Sequence, residues 1–165
     1  MNKVSEEYFT RVYDYSYQEV FSVIYSYVKT KYDAEDILQD TFMSFLDKNP
    51  SFKSLEETKY WLIRVSINKS INFLKKKSKT TTLADDFDVN VEDESNDAST
   101  LIFNKLTSLP EKLKIVMILY YYNNLKIKDI AKTLKISESA VKMRLERGKE
   151  QLKKELGGLI WEKIK

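Results

Sequence analysis

The last third of the chain carries Ile130-Ala131, Leu134, Ile136-Ser137, then Val141 and Leu145. Two short helices can cross at roughly 90–120° only where a small residue lets their backbones meet and apolar residues close the corner from both sides. Ala131 supplies the small residue, and Ile130, Leu134, Ile136, Val141 and Leu145 fill the corner. Ser137 is placed to cap the second helix through its hydroxyl. Lys135 stands in the turn, where Gly often supplies a positive φ. On a helical wheel Ser139, Met143, Glu146 and Arg147 point away from Val141 and Leu145, with Lys142 and Arg144 flanking them. This is the register of a helix-turn-helix whose second helix enters a DNA major groove. The same residues also fit a helical hairpin with a solvated basic face.

The rest of the chain reads as helical too. Only 3 Gly and 2 Pro interrupt 165 residues, and apolar residues recur at spacings of three and four with no sustained alternation. Cys and His are both absent, which removes disulfides, zinc fingers, and thiol or imidazole chemistry. An intracellular, metal-free, non-catalytic protein without a cofactor is the economical expectation. No apolar run approaches the ~20 residues that cross a bilayer, and the first residues show no signal-peptide pattern.

A net charge of +3 says little until it is distributed. Residues 1–77 hold 12 basic and 11 acidic side chains, residues 78–100 hold 1 and 7, and residues 101–165 hold 15 and 7. The C-terminal third is thus a basic module. The acidic, polar middle reads as a flexible tether. The expected architecture is all-α: a helical domain over 1–77, an acidic linker over 78–100, and a helix-turn-helix domain over 101–165.

Within the first domain, Tyr8, Phe9, Val12, Tyr13, Val20, Phe21, Ile24 and Val28 predict one or two amphipathic helices whose buried stripe is mainly Tyr and Phe. Next comes a helix capped by Asp33 and running to about Asp47. Ala34, Ile37, Leu38, Thr41, Phe42 and Phe45 face inward, and Asp36, Gln39, Asp40 and Met43 line up on the other side. Acidic residues in a first turn also serve the helix dipole, which accounts for Glu35 and Asp36 but not for the whole stripe. A mixed acidic, amide and methionine stripe suits a partner helix bearing Arg.

A third helix opens with the capping box Ser54-Leu55-Glu56-Glu57. Leu62, Ile63, Val65, Ile67, Phe73 and Leu74 turn inward, while Trp61, Arg64, Asn68, Asn72 and Lys75 form a strip on the opposite face. An aromatic ring offers an unstacked base a platform, Asn can bond a base edge, and Arg and Lys hold phosphates. The preceding loop adds Phe52. Trp61 and Phe52 equally fit half-buried packing residues.

In order and separation, Asp33-Ala34-Glu35-Asp36-Ile37-Leu38-Gln39-Asp40-Thr41-Phe42, Trp61-Leu62-Ile63-Arg64-Val65 with Asn68, Leu109-Pro110, and Asp129-Ile130-Ala131 through Val141-Lys142-Met143-Arg144-Leu145 resemble the sigma factors of bacterial RNA polymerase, in the compact extracytoplasmic-function group that keeps regions 2 and 4. The resemblance implies that Asp36, Gln39, Asp40 and Met43 contact the core polymerase. It implies that Phe52, Trp61, Arg64, Asn68, Asn72 and Lys75 bind the melted minus-10 element. Ser137, Ser139, Lys142, Met143, Arg144 and Arg147 would read the minus-35 duplex. An anti-sigma factor is a further implied partner, with direct membrane insertion not expected and the cytoplasm as the place of action. Ala140, Gly148 and Lys114 depart from residues common in the family, which bears on individual DNA contacts. Two other classes remain open at this point: an autonomous helix-turn-helix activator or repressor, and a nucleic-acid-modifying enzyme that would have to work without His or Cys.

Overall fold

The starts of the first three helices are each fixed by a local hydrogen bond that the sequence encodes. Ser5 accepts from Tyr8 N at 3.1 Å and opens α1 (Glu6–Val28). Thr30 accepts from Asp33 N at 3.3 Å and opens α2 (Lys31–Lys48). Asp33 is therefore not the cap. Its carboxylate accepts the Thr30 hydroxyl at 2.8 Å, so the two side chains form a reciprocal pair three residues apart. Ser54 accepts from Glu57 N at 3.1 Å and opens α3 (Leu55–Thr80), while the Glu57 carboxylate accepts from Lys53 N at 3.0 Å, one residue before the cap.

The computed structural model describes residues 3–80 and 98–157. The chain divides into two compact units, Met1–Glu92 and Asp93–Lys165. All regular elements among the described residues are helical. α3 continues to Thr80, past the expected domain end at residue 77. Most of the expected acidic linker, residues 81–97, lies outside the described residues, as does the segment 158–165.

In the first unit α1, α2 and α3 pack against one another. The core is Val12, Val20, Val23, Ile24, Tyr27 and Val28 from α1, with Ala34, Ile37, Leu38, Phe42 and Phe45 from α2 and Leu62, Ile63 and Ile67 from α3. Buried hydroxyls let the helices approach closely: Ser16 donates to the Val12 carbonyl at 2.6 Å, Thr41 to Ile37 at 2.7 Å and Ser66 to Ile63 at 2.7 Å. Two of the expectations for this core are corrected. Val65, Phe73 and Leu74 are only half-buried, and the buried stripe of α1 is mainly aliphatic. Phe9, Tyr13, Tyr17, Phe21 and Tyr25 instead form a second, half-exposed stripe at intervals of four.

The second unit runs α4 (Ala98–Thr107), α5 (Glu111–Met117), a π-helical turn over Ile118–Tyr122, α6 (Ile127–Leu134) and α7 (Glu138–Leu156). The π turn continues α5 and carries Ile118 and Leu119 into the core beside Val116 and Met117. Ile130, Val141 and Leu145 are buried, whereas Leu134 and Ile136, expected in the same corner, stay half-exposed. Lys135 holds φ 54° and ψ 49°, the left-handed conformation the turn requires, without a glycine. Gly148 is buried, and a Cβ there would lie 2.8 Å from both Cγ and Sδ of Met117. Gly148 is a packing position, and so is the buried Lys114, so neither departure from the family pattern falls on an outward face.

Candidate protein and nucleic-acid interfaces

The outward face of α2 is as the sequence reading placed it: Asp36, Gln39, Asp40 and Met43 are exposed, Met43 by 49%. The sequence reading missed what lies beside them. Gln39 and Met43, with Glu35 and Leu46, form one wall of an open groove of about 530 Å³, floored by Leu38 and Phe42. Phe9, Tyr13 and Tyr17 of α1 form the other wall. Ring centroids along α1 follow at 6.2 Å (Phe9–Tyr13), 5.2 Å (Tyr13–Tyr17), 6.1 Å (Tyr17–Phe21) and 6.0 Å (Phe21–Tyr25). Burial first, then Tyr17 and Asp14, push the Tyr13 phenol above its ordinary pKa. An apolar trough with amide and thioether on its rim and carboxylates alongside is suited to an amphipathic helix flanked by basic residues.

On α3 the expected strip is present. Asn68, Asn72 and Lys75 are exposed, and Trp61 and Arg64 are half-buried on the same face. Trp61 meets Phe45 of the core edge-on at 6.1 Å and Phe52 of the loop at 6.1 Å. Trp61 and Phe52 are thus braced by packing while both remain half-buried. The loop itself is pinned at both ends, by Asn49 in the left-handed region at φ 44° and by the Lys53–Glu57 bond. At the far end of the strip Lys77 pairs with Asp33 at 3.9 Å, tying α3 to the start of α2. A buried lysine, Lys59, links α1 and α3 differently: it sits 4.0 Å from Glu19 and 5.0 Å from the Tyr15 ring centroid.

On α7 Ser139, Lys142, Met143 and Arg147 are exposed, and Arg144 is half-buried on the flank. Ser137 accepts from Ala140 N at 3.1 Å, so one lone pair of its hydroxyl serves the helix cap. Among the described residues no cluster of acidic side chains could hold a metal ion. No helix among them is long and apolar enough to cross a membrane.

Comparison with known proteins agrees with this layout. Residues 12–80 match the family model for Sigma-70 region 2, and residues 100–152 match that for Sigma-70, region 4. The RNA polymerase sigma factor SigV of Bacillus subtilis is 29% identical over 134 residues, covering 79% of this chain and 80% of that protein. The ECF RNA polymerase sigma factor SigM of the same organism is 28% identical over 149 residues, covering 86% and 91%. The fold is shared by CnrH, solved in complex with the cytosolic domain of CnrY, at TM-score 0.69 and 18% identity over 92% of this chain and 89% of that one. It is shared also by RpoE of Bartonella quintana, solved in complex with the anti-sigma factor NepR, at TM-score 0.73 and 18% identity over 90% and 96%. With both its helical units matched in the family's order, the chain belongs to the sigma-70 family, as an extracytoplasmic-function sigma factor made of regions 2 and 4.

Proposed function

We propose that this sigma factor divides promoter recognition among three surfaces. The α2 stripe of Asp36, Gln39, Asp40 and Met43, with the adjoining groove, attaches the chain to core RNA polymerase. Phe52, Trp61, Arg64, Asn68, Asn72 and Lys75 hold the melted minus-10 strand. The outward face of α7, with Ser137, Ser139, Lys142, Met143, Arg144 and Arg147, reads the minus-35 duplex. These tasks belong to the helical segments up to Thr80 and from Ala98 onward, with the acidic stretch between them as the spacer. The protein works in the cytoplasm as a regulatory subunit, not an enzyme, and a regulator of the class bound to RpoE would silence it by covering these surfaces.

The observation that carries this reading is that the first unit bears two separate exposed faces of different chemistry: an acidic-rimmed groove on α1 and α2, and an aromatic, amide and basic strip on α3. A duplex-binding activator needs neither. Phosphate contacts position the complex, base contacts specify it, and capture of an unstacked base offsets part of the unpairing cost.

Run-off transcription with purified core polymerase tests the whole. A promoter-specific transcript supports it, and its absence with a duplex-binding protein favours an autonomous activator. The division of labour is checked by permanganate footprinting beside a binding titration. Asn68→Ala impairs opening more than duplex binding, and Arg147→Ala the reverse. Equal effects of both changes in both assays would reject the assignment.

A further inference from the structure

α7 buries Val141, Leu145, Gly148 and Leu152, and this seam leaves Ser139, Met143 and Arg147 as a stripe at intervals of four on the exposed side. The middle of that stripe is apolar. Met143 is 48% exposed although Lys142, Glu146 and Arg147 around it are charged. In the second unit, among the described residues, the other exposed large hydrophobic side chain is Tyr122, at 39%, whose ring rests 5.1 Å from that of Phe103. Met143 thus places a flexible thioether in the centre of a face that is otherwise built for polar and charged contacts.

The edges of base pairs in a major groove are almost wholly hydrogen-bond donors and acceptors. The one apolar group they display is the C5-methyl of thymine. A thioether against a donor or acceptor edge strips water from that edge and returns only a weak acceptor. Against a methyl group it removes apolar surface from water on both sides, and its unbranched chain adjusts to the methyl's position. We infer that Met143 is a specificity-determining residue that reads the C5-methyl group of a thymine in the duplex bound by α7. This rests on the reading that α7 enters the major groove. Along the helix Met143 and Arg147 are about 6 Å apart, or roughly two base-pair steps of ~3.4 Å. The thymine therefore lies within about two base pairs of the position that depends on Arg147.

The test uses the full chain assembled with core polymerase and a duplex selected by that holoenzyme from a pool randomised over the minus-35 stretch. Each thymine is then replaced singly by deoxyuridine, which deletes only the methyl group. At one position the replacement weakens binding by about four-fold, the equivalent of one buried methyl group. Met143→Ala removes that sensitivity, and Met143→Leu keeps it. 5-Methylcytosine at the same position binds more tightly than cytosine with the parent protein but not with Met143→Ala. Met143 is exposed, so loss of fold does not account for the change, and far-UV circular dichroism checks this.

Uniform tolerance of deoxyuridine, or equal sensitivity in parent and Met143→Ala, overturns the inference while leaving the groove reading intact. If Arg147→Ala and Lys142→Ala also leave duplex binding unchanged, α7 is not in the groove and both readings fall.

Discussion

Lys135 shows how a single backbone angle can decide the geometry of a recognition module. It ends α6 at φ 54°, and Ile136 N then bonds back to the Ala131 carbonyl at 3.0 Å, which sets the turn into α7. A side chain in the left-handed region carries a penalty of roughly 1–2 kcal/mol that glycine avoids, partly offset by glycine's greater loss of freedom on folding. Lys135→Gly should therefore stabilise the protein by about 0.5–1 kcal/mol, read as a shift in urea midpoint at constant slope. A destabilised variant would mean that the lysine chain contributes something beyond its backbone conformation. Gly148 is the complementary case: Met117 fills the room a Cβ would need, so the residue is set by close packing and not by dihedral freedom. The turn position of Lys135 was legible in the sequence, whereas the requirement at Gly148 was not, because it depends on a side chain thirty-one positions away.

At the scale of the helix, the start of α2 depends on Thr30 and not on Asp33. Thr30→Ala should cost about 1 kcal/mol in unfolding free energy. Were Asp33 the cap, the change would be nearly silent. Sequence periodicity located α2 and its exposed stripe because inward and outward residues there differ sharply in polarity. It failed on α1, which carries two apolar stripes. Val12, Val20, Val23, Ile24 and Tyr27 went inward and Phe9, Tyr13, Tyr17, Phe21 and Tyr25 were left half-exposed. Tyrosine is at home in either place, so only the packing partner decides. The five aromatic residues at intervals of four stand in the sequence, but no local pattern separates them from the aliphatic stripe as a second face. The groove wall gives that face a test. Tyr17→Ala should weaken polymerase binding by about ten-fold or more, in the range of an aromatic interface residue, while lowering stability by less than about 1 kcal/mol because the ring is half-exposed. Phe45→Ala, at the fully buried centre of the core, should instead cost about 3–5 kcal/mol. If Tyr17→Ala destabilised the fold as strongly as Phe45→Ala, the ladder would be structural and the groove no docking site.

Across the whole molecule, charge is sorted along the chain. The residues that follow position 100 hold 15 basic and 7 acidic side chains, whereas Asp36 and Asp40 stand among the acidic residues of the first unit's α2. A polyanion is drawn to the former, and a basic helix to the latter. Regions 2 and 4 were identifiable because each motif is short, helical and fixed in spacing; the groove was not, since its two walls come from different helices whose packing no local pattern states. The sorting makes one reversal decisive. Asp40→Lys replaces an exposed carboxylate beside the groove with a like charge for a basic partner. In a pull-down of purified core polymerase it should reduce recovery by at least about ten-fold, in line with truncation or reversal of an interfacial charge pair. The thermal midpoint should stay within a few degrees, because the side chain is exposed and not one of the groove's lining residues. Glu155→Lys, an exposed reversal in the second unit, controls for net charge. Full recovery with Asp40→Lys, or equal loss with Glu155→Lys, would place polymerase attachment on some face other than α2.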